Sequence, residues 1–74
     1  MLNACILIKV VSTKADTILD AIRKVKGVRK SYFTYGRFDI TAFLEVDDYK
    51  ALRSTTGQIN SFEGVRSTET LAEA

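Results

Sequence analysis

Gly27-Val28-Arg29-Lys30-Ser31 is echoed later in the chain by Gly64-Val65-Arg66-Ser67-Thr68. The two glycines lie 37 positions apart in a chain of 74 residues, so the interval is half the length. A repeat of that period constrains the fold strongly. Each half must hold the same elements in the same order, and each is too short to bury an apolar face alone.

The first half reads strand, helix, strand. Ala4, Ile6, Ile8 and Val10 alternate onto one face of a strand over Ala4–Val11, and Cys5, Leu7, Lys9 and Val11 take the other. Both faces are largely apolar, which predicts a central strand covered on both sides. Ser12 or Thr13 offers an N-cap oxygen, and Thr13-x-x-Asp16 resembles a capping box with a shorter acid. Ile18, Ala21, Ile22 and Val25 then recur at helical spacing. Gly27 suits the left-handed residue that ends a helix, with Val28 folding back on the last turn.

The second half matches. A strand over Thr41–Asp48 places Ile40, Ala42, Leu44 and Val46 on one face and Thr41, Phe43 and Glu45 on the other. Asp47 or Asp48 caps the next helix. Leu52, Thr56, Ile59 and Phe62 form its apolar stripe. Gly57 inside it costs about 1 kcal/mol relative to alanine, and Gly64 ends it. Each half closes with a more polar strand, over Arg29–Tyr35 and Arg66–Leu71, as suits sheet edges. Leu71-Ala72-Glu73-Ala74 is weakly apolar, which predicts a short last strand. A hairpin at Tyr35-Gly36-Arg37-Phe38 joins the halves, Gly36 supplying the positive φ of a tight turn. The expectation is one α+β domain over residues 1–74. It is of ferredoxin-like βαββαβ order, with a four-stranded antiparallel sheet and two helices on one face.

Two helices cover only one side of such a sheet. The other side carries Cys5, Leu7, Val11 and Phe43, an apolar face unsuited to water. Packing against the same face of a second copy gives a two-fold dimer. The alternative is a monomer with a mildly apolar sheet face. Length favours the dimer, because domains this small gain stability from a disulfide, a metal or a partner chain. With one cysteine and no histidine, neither an internal disulfide nor a zinc site is expected. The lone cysteine fits a reducing compartment. The N-terminus lacks a basic leader and cleavage site, and no apolar run approaches the roughly 20 residues of a membrane span. The expectation is a cytoplasmic domain with no membrane partner. A net charge of +2 is too small to argue for nucleic acid.

Without histidine, Ser–His–Asp and Cys–His catalysis are excluded. No Walker motif, G-x-G-x-x-G or EF-hand loop is present, and no cofactor is called for. Cys5 reads as a small strand residue. Asp47-Asp48 reads as a helix cap rather than a catalytic pair. The cations Arg23, Lys24, Lys26, Arg29 and Lys30 suggest either a phosphate-binding patch or charges complementing the end of the first helix, the second being simpler. RNA-recognition folds share the element order, but Phe43 alone among the central-strand residues offers no stacking platform.

Tyr32-Phe33-Thr34-Tyr35-Gly36-Arg37-Phe38-Asp39 is the most distinctive segment. Amides near Gly36 can point outward and bind an anion, and Asp39 could hold an ammonium group. Equally, the aromatics can pack across strands while Asp39 bonds to turn amides.

Gly27-Val28, then Gly36-Arg37-Phe38-Asp39-Ile40, then Gly64-Val65 with Ser67-Thr68-Glu69-Thr70-Leu71, resembles the C-terminal effector domain of Lrp/AsnC transcription regulators, the RAM domain. The resemblance spans essentially the whole chain. It implies a dimer whose sheets face each other as an α/β barrel, with dimers joining into larger rings. It also implies an amino-acid effector site near the hairpin, at contacts between dimers. By position, Tyr35, Gly36, Arg37 and Phe38 would give amides to the effector carboxylate. Asp39 would hold its ammonium group, and Thr68 and Thr70 would add hydroxyls. The regulators carry a helix-turn-helix domain for which this chain has no room. The resemblance is therefore to the stand-alone form, with no direct DNA binding expected and co-assembly with full-length regulators an option. Asp39→Ala is expected to weaken effector binding without unfolding the domain. Two rivals remain: a small dimeric α/β-barrel enzyme of monooxygenase or isomerase type, and a ligand-free dimerisation adaptor.

Overall fold

Isoleucines alternating with residues of the opposite face set the first strand. Ile6 and Ile8 are wholly excluded from solvent, and Ala4 and Val10 are buried beside them. The computed structural model describes residues 1–73. Its order is β1 (Leu2–Val10), α1 (Ala15–Arg23), β2 (Val28–Phe33), β3 (Ile40–Val46), α2 (Tyr49–Asn60) and β4 (Val65–Ala72), with a 3-10 turn at Ser12–Lys14 leading into α1. The strands form one sheet ordered β2-β3-β1-β4, and every pairing is antiparallel. This is the βαββαβ arrangement expected, with β1 and β3 central. Among the described residues no helix is long and apolar enough to cross a membrane.

The core lies between the sheet and the helices. Ala4, Ile6, Ile8 and Val10 of β1 and Ile40, Ala42, Leu44 and Val46 of β3 cluster with Ile18, Leu19, Ile22, Val25, Leu52 and Ile59. The two strand sets are cross-strand neighbours, Ile6 opposite Ala42 and Ala4 opposite Leu44, so one face of the pleat carries all of them. The glycines do not cap the helices as expected: α1 and α2 end at the C-caps Lys24 and Ser61, and Gly27 and Gly64 sit three residues further on, in turns closed by the Val28 amide on the Val25 carbonyl and the Val65 amide on the Phe62 carbonyl, both at 3.2 Å. Gly27 has φ +98° and Gly64 φ +100°, values that side chains with a Cβ rarely adopt.

Several local expectations are corrected. Neither Ser12 nor Thr13 caps α1. The chain winds through both as a 3-10 turn, with the Lys14 amide donating to the Val11 carbonyl at 2.9 Å. Lys14 takes the cap position with no side-chain capping bond. The capping box therefore does not form, because its hydroxyls lie inside the turn rather than at an extended residue before the helix. In α2 the buried positions are Leu52, Thr55 and Ile59. Thr56 is half-buried one step round the helix, and Phe62 packs on the core from beyond the helix end. Val11 lies past the end of β1, its amide donating to the Gly64 carbonyl at 2.8 Å. The last strand is not short: it runs to Ala72, pairing Leu71 with Cys5 and Ala72 with Ala4. Its length is set by backbone bonds to β1, which need no apolar side chains. Finally, β1 is covered on one side only within the chain. Its other face, with Cys5 and Leu7, is half-buried.

Asp48 does cap α2, its Oδ1 accepting from the Ala51 amide at 2.8 Å. Three of the five clustered cations also have structural partners. Arg23 donates to the Ser31 carbonyl at 3.2 Å, Arg29 pairs with Glu45, and the Lys30 ammonium lies 5.0 Å from the Phe43 ring centroid. Those engagements favour a structural role for the cluster over a phosphate patch.

Candidate functional site

The hairpin between β2 and β3 is closed from both sides. Thr34 donates its amide to the Asp39 carbonyl at 2.8 Å and its hydroxyl to the Phe38 carbonyl at 3.1 Å. Tyr35 to Phe38 form the loop between them. Gly36 turns at φ +124° with open space where a Cβ would stand. Tyr35 at the tip is fully solvent-exposed, at 101%, and Phe38 is half-buried.

Asp39 is fixed by three bonds. Its carbonyl holds Thr34, its amide donates to the Ile8 carbonyl at 2.9 Å, and its Oδ2 accepts from the Val10 amide at 3.0 Å. The last bond differs from both sequence-based alternatives, since the carboxylate serves a strand amide rather than turn amides. The pairing of β1 with β3 ends at Ile8 opposite Ile40. Beyond that point the Asp39 side chain supplies the acceptor that Val10 needs. A half-buried backbone N–H without a partner would be unfavourable. No cation lies within ion-pairing distance of Asp39 among the described residues.

Sequence reasoning missed Lys9. It alternates out of the apolar run of β1, and its ammonium reaches the Arg37 carbonyl at 3.5 Å. Arg37 itself is exposed.

Thr68 and Thr70 stand apart from the hairpin, on β4. They lie opposite Ile8 and Ile6, so their side chains share the helix face of the sheet. Thr68 donates its hydroxyl to Asn60 Oδ1 of α2 at 2.9 Å, and Thr70 is exposed. With β1 between β4 and β3, one chain does not bring these threonines and the hairpin around a common cavity. Two hollows among the described residues lie elsewhere. One of about 320 Å³ is lined by Lys14, Thr17, Ile18, Ala21, Phe62 and Glu63. A shallower one of about 420 Å³ is lined by Met1, Leu2, Asp47, Asp48, Tyr49 and Glu73.

The open sheet face is the second functional feature. Cross-strand pairing places Lys30, Phe43, Cys5 and Leu71 in one row and Tyr32, Thr41, Leu7 and Glu69 in the next. Tyr32 and Phe43 stack with ring centroids 6.0 Å apart. Leu71 and Tyr32 are 56% and 40% exposed, and both join the face read from the sequence, whereas Val11 does not. Burial pushes the Cys5 thiol above its ordinary range, so it is a poor nucleophile at neutral pH.

Comparison with known proteins follows the same lines. A protein from Thermus thermophilus superposes with a TM-score of 0.96 at 31% identity, covering 100% of this chain and 94% of its own. Escherichia coli AsnC superposes at 0.89 with 22% identity, over 97% of this chain and 50% of that one. A transcriptional regulator from Neisseria meningitidis, solved as a complex with L-Met, superposes at 0.85 with 20% identity, over 99% of this chain and 49% of that one. The chain thus spans about half the length of these two regulators. A search of curated proteins finds no match. The profile of the Lrp/AsnC ligand binding domain matches residues 3–72, and the chain belongs to that family.

Proposed function

We propose that this chain is an amino-acid-sensing module that self-assembles and is not an enzyme. The observation that carries the reading is the hairpin. It holds Asp39 in place through Thr34, Ile8 and Val10 and leaves the carboxylate without an ion-pair partner among the described residues. An α-ammonium group supplies that partner, and loop amides from Tyr35 to Phe38 meet the α-carboxylate. Thr68 and Thr70 reach the same ligand from a neighbouring molecule, which accounts for their distance from the hairpin within one chain. The L-Met complex of the Neisseria regulator supports an amino acid as the ligand class.

Assembly rests on the open face. Cys5, Leu7, Tyr32, Phe43 and Leu71 bury against the same residues of a second copy, giving a dimer with facing sheets, and the hairpins join dimers into larger rings. Effector bound between dimers then favours one assembly state over another. Full-length Lrp/AsnC regulators are a second class of partner, through which the module would reach DNA.

The test is thermal unfolding against a panel of amino acids, with size followed by light scattering. A ligand at about 100 times its Kd adds roughly 2.7 kcal/mol of stability. Because Asp39 also serves the Val10 amide, alanine there removes a structural bond. Asp39→Asn is the sharper variant, since it keeps an oxygen acceptor and removes the charge. The expected outcome is lost binding with the fold retained. Unchanged affinity in this variant sinks the site. Retained assembly with no response to any amino acid moves the assignment to the adaptor.

A further inference from the structure

The charges at the hairpin do not balance. Asp39 is the carboxylate of the hairpin segment, and its Oδ2 already accepts from Val10. Against it stand the Lys9 ammonium, 3.5 Å from the Arg37 carbonyl, and the exposed Arg37 guanidinium. The ion pairs among the described residues are Lys14 with Glu63 and Arg29 with Glu45, so both hairpin cations are uncompensated.

We infer that the hairpin selects an acidic amino acid, one carrying a side-chain carboxylate besides its α-carboxylate. The inference rests on the effector-site reading above and deepens it. One ammonium matches Asp39, and two carboxylates match Lys9 and Arg37. A neutral amino acid leaves one of these cations unanswered when the hairpin is covered by a neighbouring molecule, and an uncompensated charge withdrawn from water is unfavourable. The exposed groups of the hairpin are the Tyr35 ring at its tip, the Arg37 side chain and the Lys9 ammonium beside the Arg37 carbonyl, and of these the two cations are the ones that separate a charged effector from a neutral one. Lys9 has the reach for this role because its side chain already extends from the end of β1 to the hairpin. It is therefore a specificity residue, while Asp39 and the loop amides serve any amino acid.

The experiment compares L-glutamate with L-glutamine, which differ in charge but hardly in shape, and adds L-leucine and glutarate. Binding is read by calorimetry and thermal shift on the intact chain. L-Glutamate is expected to bind roughly tenfold more tightly than L-glutamine, the order of one charge-assisted bond. That preference should shrink several-fold in Lys9→Met and Arg37→Met, both exposed positions, and in 1 M salt, where the Debye length is about 3 Å. Glutarate, which lacks the ammonium group, should bind more weakly than glutamate. If glutamine or leucine binds as tightly as glutamate, the acidic-ligand inference is overturned and the amino-acid site stands. If glutarate matches glutamate, the pairing of Asp39 with an ammonium group is wrong. If no amino acid binds, the effector-site reading itself fails.

Discussion

The two halves share a plan and differ in how their helices begin. In the first, β1 passes through a 3-10 turn into α1, whose cap position is Lys14 without a side-chain capping bond. In the second, β3 passes directly to Asp48, whose carboxylate accepts from the Ala51 amide. The exits are alike: three residues past each C-cap a glycine turns at φ near +100°, and a valine opens the strand that follows. The repeat is therefore kept where the chain reverses into an edge strand. There the backbone geometry admits few residues. It is relaxed at the helix starts, where several local solutions serve.

This comparison is best broken at the core. Ile22 of α1 and Ile59 of α2 are both fully buried. Truncation of either to alanine should cost about 2–5 kcal/mol in urea unfolding. Equal costs would mean that the halves share the core evenly. A much smaller value for Ile59→Ala would make α2 the subordinate helix.

The glycines come next. Gly27→Ala and Gly64→Ala carry the same backbone strain, but an added Cβ meets Val46 Cγ1 at 3.1 Å in the first and Ile18 Cδ1 at 2.9 Å in the second. Both should destabilise by roughly 1–3 kcal/mol, with Gly64→Ala the worse. The reverse order would mean that Ile18 and Lys14 yield more readily than Val46.

The helix starts test the difference directly. Asp48→Ala should cost about 1 kcal/mol. Thr13→Ala should stay within about 0.5 kcal/mol, since that hydroxyl caps nothing. The smallest expected effect is a gain. Gly57 sits within α2 with nothing inside 4 Å of an added Cβ, so Gly57→Ala should stabilise by about 0.5–1 kcal/mol. Loss of stability there would point to a neighbour supplied by another molecule.

The fold was legible where side-chain pattern and geometry coincide. Ile6, Ile8, Ala42 and Leu44 alternate because one face is buried, and Gly27 and Gly64 mark turns that other residues resist. The start of α1 was not legible. Ser12 and Thr13 offer the same hydroxyls whether the backbone there is extended or wound into a turn. Thr55 and Thr56 carry the same side chain, so composition could not set the phase of α2. The extent of β4 was hidden because its bonds belong to β1's backbone. At the site, the hairpin segment stood out by its aromatics and Gly36. The bonds from Val10 to Asp39 and from Lys9 to Arg37 depend on how β1 registers against β3, a pairing across some 30 residues that no local pattern encodes.

The Asp39–Val10 bond has a spectroscopic consequence. One amide proton inside the sheet is held by a side chain rather than by a ladder carbonyl, so its shielding and its exchange with deuterium depend on what that carboxylate is doing. A single cross-peak, from Val10, would then follow occupancy of a surface hairpin from within the rigid framework, with no dye or tag attached.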